Sequence, residues 1–250
     1  MKNIAVSFEH VYKSYRLYHH VTGGVKNFLF HFQSSINSLR SIGFEALRDV
    51  SFEIGRGEAI GLVGRNGAGK STVLALIAGV LQPSRGGVTV NGRISPFLEL
   101  GAGFHPELSG KENILLNGVL LGLSREAILK KMDEIIAFAE LGDFIDQPIR
   151  VYSSGMIARL GFSVVAHLDP DILLIDEILA VGDAEFQKKC MDKMTTFKER
   201  GVTMIFVSHS PRDISQICSR VMWFDNHTVK MAGAVERVLQ EYASTQAQAI

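Results

Sequence analysis

Gly64-Arg65-Asn66-Gly67-Ala68-Gly69-Lys70-Ser71 decides the fold of this 250-residue chain. The eight residues fit the spacing G-x-x-x-x-G-K-[ST], which fixes four residue types at set positions. Ahead of them Ala59-Ile60-Gly61-Leu62-Val63 reads as a buried strand. Behind them Ser71-Thr72-Val73-Leu74-Ala75-Leu76-Ile77-Ala78 reads as a helix that begins inside the motif. In such a strand–loop–helix the glycines let backbone N–H groups turn inward around an anion, and the helix adds the positive end of its dipole. Lys70 would bring a point charge to the β and γ phosphates, and Ser71 a hydroxyl to Mg2+. A glycine-rich turn that binds nothing would account for the glycines but would leave Lys70-Ser71 unexplained. The stretch predicts a nucleoside-triphosphate site built from Gly64, Arg65, Asn66, Gly67, Ala68, Gly69, Lys70, Ser71 and Thr72.

The rest of the chain bounds what surrounds that site. Its 26 basic and 26 acidic residues cancel, so no overall field draws it toward nucleic acid or an anionic membrane. No apolar run approaches the ~18 residues that span a bilayer, and the first ten residues lack a signal-peptide apolar block. Cys190 and Cys218 stand alone, without a C-x-x-C pairing, which predicts reduced thiols. The expectation is a soluble cytosolic chain whose membrane role, if any, comes through a partner.

Around the motif, Ile4-Ala5-Val6-Ser7-Phe8 predicts a strand followed by a turn through Val11-Tyr12-Lys13-Ser14-Tyr15. Residues 18–44 carry Val25, Phe28, Leu29, Phe32, Ile36 and Leu39 on one helical face. They read either as an insertion docked on the domain or as an amphipathic element meeting a membrane partner or lipid. Residues 45–54 read as strand, and Gln82-Pro83-Ser84-Arg85-Gly86-Gly87 as a turn before the short strand Val88-Thr89-Val90. Residues 105–168 are helix-rich: a capping box at Ser109-Gly110-Lys111-Glu112, then apolar stripes through Ile128–Ala139 and Ile157–Leu168 positions. Beyond Asp169-Pro170 the βαβ rhythm returns with Ile172-Leu173-Leu174-Ile175 and Thr203-Met204-Ile205-Phe206-Val207, continuous apolar runs typical of buried parallel strands. A hairpin around Asp225-Asn226-His227 and a closing helix with tail, 235–250, complete one domain over 1–250. The class is α/β, with a mainly parallel core sheet and a helical segment inserted at 105–168.

Asp176 and Glu177 stand at the end of a buried strand, the side of a parallel sheet on which ligands bind. Asp176 would hold Mg2+, and Glu177 would take a proton from the attacking water. His209, at the end of another apolar strand, stands where a γ-phosphate sensor is wanted. Tyr152-Ser153-Ser154-Gly155-Met156 opens a helix, either as a plain N-cap or as a second anion site.

The order of these pieces resembles the ATP-binding subunits of ABC transporters over nearly the whole chain. Residues 64–71 match the Walker A loop, 172–176 the Walker B strand, Glu177 the catalytic glutamate, Ala180-Val181-Gly182-Asp183 the D-loop and His209 the switch histidine. Tyr152 to Met156 match the LSGGQ signature in part, with Ser154 for a glycine and Met156 for the glutamine. Glu99 stands nearest the Q-loop glutamine, which adds it to Ser71 and Asp176 as a metal-site candidate. Tyr15 matches the aromatic that stacks on adenine, with Tyr12 and Tyr18 as alternatives because the 18–44 segment displaces the spacing. Leu98-Glu99-Leu100-Gly101-Ala102-Gly103-Phe104-His105-Pro106 and Leu179-Ala180-Val181-Gly182-Asp183 look like one branch, the Wzt-type exporters of O-antigen, capsular and teichoic-acid polysaccharides. Some members carry a further carbohydrate-binding domain, for which a chain ending at Ile250 leaves no room. The resemblance implies a P-loop ABC ATPase fold with an N-terminal antiparallel β part, and ATP hydrolysis with Mg2+. Two copies would form a head-to-tail homodimer in which residues Ser153, Ser154 and Gly155 of one cover the ATP of the other. It implies a peripheral place on the cytoplasmic face of the bacterial inner membrane, an integral-membrane permease as partner, a lipid-linked glycan as cargo and no nucleic acid. An importer ATPase, or an ABC-type ATPase with a non-transport partner, is the alternative.

Overall fold

In the computed structural model, residues 3–16, 43–97, 101, 103–176, 182–208 and 210–247 are described. The apolar runs become the strands of a six-stranded sheet. In chain order these are β3 (Ala59–Val63), β5 (Ile94–Phe97), β6 (Ile172–Asp176), β7 (Thr203–Val207), β8 (Arg220–Asp225) and β9 (Thr228–Gly233). Their spatial order is β5-β6-β7-β3-β8-β9, parallel except for the β8–β9 hairpin. That hairpin turns through Asn226 and His227, both in the left-handed region at φ 48° and 67°, the conformation a two-residue type I′ turn demands. The central strands β3, β6 and β7 are apolar except for Thr203 and Asp176 at strand ends, because both faces are covered. Leu173, Ile175, Met204 and Phe206 pack on one side with Phe162, Phe186, Met194 and Phe197 from the helices. Ile172, Leu174, Ile205 and Val207 pack on the other with Val73 and Leu74 and with Ala5, Phe8 and Leu47. Strand period two sorts neighbouring residues onto opposite faces.

That second face is roofed by an antiparallel sheet, β1 (Ile4–Arg16), β2 (Gly43–Gly55) and β4 (Arg85–Val90), in the order β2-β1-β4. Three expectations change here. The turn expected at residues 11–15 is strand: β1 continues through a register shift between Phe8 and Val11, where His10 and the facing Asp49 both adopt positive φ (48° and 46°) and bond at 2.8 Å. The turn cluster ends three residues early, since Arg85 already pairs with Tyr12 and opens β4. β5 was not foreseen; it contains Pro96, which only an edge strand tolerates, and β5 is the sheet's edge. Gly43 and Phe44 belong to β2, so the segment expected over 18–44 overruns by two residues, and the rest of its apolar stripe lies outside the described residues.

Helices α1 (Lys70–Ile77), α2 (Gly110–Leu120), α3 (Arg125–Ala139), α4 (Ser154–Ala166), α5 (Ala184–Glu199), α6 (Pro211–Ile217) and α7 (Val235–Ala247), with short 3-10 turns at Gly142–Asp146 and Ile149–Val151, complete the described elements. The capping box forms as read, with the Ser109 side chain accepting from the Glu112 N–H and the Glu112 carboxylate accepting from the Ser109 N–H at 2.8 Å. Helices α2, α3 and α4 bury a third apolar cluster of their own, built on Ile114, Ile128, Ile135, Ile149, Leu160 and Val164. Leu168, expected on α4, lies beyond its end and packs into the main core.

Candidate nucleotide site

The chain leaves β3 at Gly64 and turns beside β8. A Cβ at Gly64 would lie 2.3 Å from the carbonyl oxygen of Phe224, and φ there is 150°. Glycine alone allows the chain to leave the strand at this point. Gly67 is the opposite case. At φ 81° its Cβ would meet nothing within 4 Å, because the position faces the open cavity over the loop. That cavity is lined by Phe44, Ala46, Asn66, Gly67, Gly69, Lys70, Ser71 and Thr72.

Helix α1 begins at Lys70 with Gly69 as its N-cap, so no side chain caps its first N–H groups, and its first turn holds no acidic residue. A helix end of this kind presents donors and a partial positive charge to an acceptor from elsewhere. The Lys70 ammonium, only 6% exposed, donates to the carbonyls of Gly64 (2.7 Å) and Arg65 (3.1 Å). The loop thus holds its own cation in place across the turn. Ala68 closes it further by donating to the Arg65 carbonyl at 3.1 Å.

Asp176 ends β6 in register with Val207 of β7, and β7 pairs with β3. Two strand spacings, about 10 Å, separate the β6 and β3 axes, so the carboxylate and the phosphate loop share one edge of the sheet. Asp176 is half-buried and engaged by neighbours. Glu177 follows it directly, His209 follows Ser208 after β7, and Glu99 follows β5; these three side chains lie outside the described residues. Beside His209, Ser208 Oγ accepts from the Ser210 N–H (3.0 Å), and Ser210 Oγ caps α6 by accepting from the Asp213 N–H (3.3 Å).

Ser153 is the N-cap of α4, its side chain accepting from the Met156 N–H at 3.2 Å, with Ser154 and Gly155 in the exposed first turn. These residues do not line the cavity over the phosphate loop. Within one chain, residues 64–72 and Asp176 lie at the same edge of the sheet, whereas Ser153, Ser154 and Gly155 lie at the start of α4, outside that cavity's lining.

Sequence reading missed Phe44. It stands opposite Tyr15 in the β1–β2 pairing, is 43% exposed and forms one wall of the cavity. Directly opposed residues in an antiparallel pair share a face, so Tyr15 and Phe44 form one aromatic strip. Lys13 Nζ lies 5.3 Å from the Tyr15 ring centroid, while Tyr12 is covered by Arg85 at 4.8 Å. The only signal in the sequence was an aromatic after a long interruption, and the register that makes it meaningful is not visible there.

The comparisons with known proteins agree with this geometry. The family model described as ABC transporter matches residues 47–180. The O-antigen export system ATP-binding protein of Klebsiella pneumoniae is 53% identical over 97% of this chain and 98% of its own length. The teichoic acids export ATP-binding protein of Listeria monocytogenes is 45% identical over 96% of this chain and 70% of its own. A dimeric ATP-binding cassette solved in a post-hydrolysis state with ADP and Pi shares the fold, with a TM-score of 0.72 at 21% identity over 92% of this chain and 98% of that one. On the family match and these identities, the chain belongs to the ABC transporter family, as one of its ATP-binding, ATP-hydrolysing subunits.

Proposed function

We propose that this chain powers the export of a lipid-linked, O-antigen-like polysaccharide across the bacterial cytoplasmic membrane, as a homodimer docked on an integral-membrane permease. The identity of 53% to an O-antigen export ATP-binding protein over nearly both full lengths carries this reading. Among the described residues no helix is long and apolar enough to cross a membrane, and in this reading the permease supplies the path. The chain then sits peripherally on the cytoplasmic face.

The half-site geometry supports the mechanism. ATP phosphates lie on the N–H groups of residues 64–72, and Lys70 turns from the Gly64 and Arg65 carbonyls to the β and γ oxygens. The adenine lies against the Tyr15–Phe44 strip. Ser153, Ser154 and Gly155 of a second copy close over the γ-phosphate with the N-terminus of α4. Glu177 takes the proton of the attacking water, and His209 donates to a γ-phosphate oxygen.

Mg2+ fits the residues present. Ser71 lines the cavity and Asp176 stands on the same sheet edge, while Glu99 remains a candidate from the sequence alone, outside the described residues. The described residues contain no group of three or more His, Cys, Asp or Glu that would cage a metal. Mg2+ characteristically keeps its waters and phosphate oxygens and takes few protein ligands. When bound, it neutralises charge developing on the phosphates.

The test is genetic and enzymatic together. A strain lacking this gene should lose surface polymer and accumulate lipid-linked glycan inside. The wild-type gene should restore export, and Glu177→Gln should not. Unchanged surface polymer in the deletion strain would sink the proposal.

A further inference from the structure

Phe44 walls the nucleotide cavity from near the start of an edge strand. β2 lies at the edge of the antiparallel sheet, so Phe44 has a strand neighbour, Tyr15, on one side only. A ring that is 43% exposed there needs a second contact to give up its rotamer freedom. The β8–β9 hairpin supplies it. The His227 ring stands perpendicular to the Phe44 ring (89°), with centroids 5.4 Å apart, inside the range of favourable edge-to-face pairs. The turn is tied to the same strand, because the Arg48 N–H donates to the His227 carbonyl at 2.8 Å.

The same hairpin borders the phosphate loop. The Phe224 carbonyl lies beside Gly64, where a Cβ would come within 2.3 Å of it. Three residues on, through a tight turn in which Asn226 and His227 both hold positive φ, the hairpin reaches Phe44. One short element therefore touches both the phosphate loop and the aromatic wall. His227 Nδ1 is buried and has no hydrogen-bond partner among the described residues, so this atom gives the pair nothing that a phenyl edge would lack.

We propose that His227 is a positioning residue for nucleotide binding, which holds the Phe44 ring in one orientation from the hairpin turn. The proposal rests on the reading that adenine lies against the Tyr15–Phe44 strip. A base stacks well only on a ring that keeps its plane, and a ring ordered before ATP arrives loses less freedom on binding. Phosphate binding at residues 64–72 needs no ring. The effect of His227 therefore falls on the base and leaves the affinity for bare triphosphate unchanged.

The test uses the full-length chain with His227→Asn, His227→Phe, Phe44→Ala and the double variant of Phe44→Ala with His227→Asn. It measures Kd for ATP and for inorganic triphosphate, both with Mg2+, kcat and KM for ATP, and the melting temperature. Asparagine tolerates the left-handed conformation at 227 and removes the ring, whereas phenylalanine keeps a ring. His227→Asn is expected to weaken ATP binding about fivefold, the scale of one aromatic pair, while triphosphate Kd stays within about twofold. KM should rise with Kd, and kcat should hold within about twofold, as for an interaction made equally in ground and transition states. His227→Phe should return ATP affinity to within about twofold of wild type. Phe44→Ala should weaken ATP binding about tenfold, and the double variant should be no weaker than Phe44→Ala alone. Wild-type ATP affinity in His227→Asn overturns the inference, and so does an equal loss of triphosphate binding or no recovery in His227→Phe. A double-variant loss equal to the product of the single losses also overturns it, even where phenylalanine at 227 lowers the melting temperature. Wild-type ATP affinity in Phe44→Ala instead defeats the placement of adenine on the strip, whatever the His227 variants do.

Discussion

Gly64→Ala and Gly67→Ala should separate what the phosphate loop does for folding from what it does for ATP. Both positions have positive φ, yet their surroundings differ completely. At Gly67 a methyl group meets nothing within 4 Å. The cost is the left-handed backbone penalty of about 1–2 kcal/mol, reduced by about 0.4–1 kcal/mol because alanine also restricts the unfolded chain. A net loss near 1 kcal/mol lowers the melting temperature of a domain this size by about 2–4 °C. At Gly64 the methyl group would sit 2.3 Å from the Phe224 carbonyl, a contact with backbone that cannot rotate away. Backbone strain of about 1–3 kcal/mol and overpacking of about 1–3 kcal/mol add to a loss of about 2–6 kcal/mol. That is a large part of the ~5–15 kcal/mol available to a typical domain. Melting without nucleotide should therefore rank wild type, Gly67→Ala and Gly64→Ala in falling order. Binding should behave differently. The Gly67 methyl group points into the cavity, so Gly67→Ala should weaken binding of a fluorescent ATP analogue at least tenfold while staying nearly as stable as wild type. Equal melting losses in the two variants, or a stable Gly67→Ala with wild-type affinity, would refute the placement of the cavity.

Asn113 is fully buried, accepts from the His105 N–H (2.6 Å) and donates to the carbonyls of His105, Leu108 and Ser109 at 2.9–3.1 Å. Asn113→Ala should cost about 2–4 kcal/mol in urea unfolding, and a loss below about 1 kcal/mol would show that this staple contributes little. The Asp169 carboxyl, bonded to Lys131 and Arg200, is held down from its ordinary 3.8 to about 2. A depressed folded value means stability that is present above about 3.8 and lost as pH falls toward about 2. Asp169→Asn should be less stable than wild type at pH 7 by under about 1 kcal/mol, since half of the side chain is exposed, and the gap should close between pH 4 and pH 2. A gap constant down to pH 2 would contradict this. Burial pushes the Cys190 and Cys218 thiols up to about 12. Neither should react with a disulfide reagent at pH 8 until the chain is denatured, and rapid labelling of the native protein would overturn their burial.

Sequence pattern reached the elements whose reasons are local. The central strands were legible because burial on both faces leaves a continuous apolar run, and the Asn226-His227 turn because its residue types suit positive φ. The 64–71 loop was legible because its glycines and Lys70 serve one function at fixed spacing. Non-local reasons stayed hidden. β1 passes through His10 by pairing two left-handed residues 39 positions apart, His10 and Asp49, and neither alone signals a bulge. β5 contains a proline that only its edge position excuses. Phe44 acquires meaning from cross-strand register with Tyr15, and His227 from the Phe44 ring beside it. Each of these depends on who sits opposite, which composition and period do not encode.

In the proposed dimer, the α4 N-terminus completes a site of which the 64–71 loop supplies one wall. Ser153 satisfies the Met156 N–H, and Ser153 and Ser154 are exposed. In the proposed dimer that end finds its acceptor in a phosphate resting on the partner's loop, so much of the contact between copies passes through the nucleotide. Linkage then requires ATP to tighten the dimer by the same factor by which dimerisation tightens ATP. Removing the γ-phosphate deletes the anion that both walls share, which weakens the closed pair without any change in the protein's own packing. The free energy of hydrolysis is thereby expressed as opening of an interface. That is the form in which a subunit with no bilayer-spanning helix among its described residues can pass work to a membrane partner.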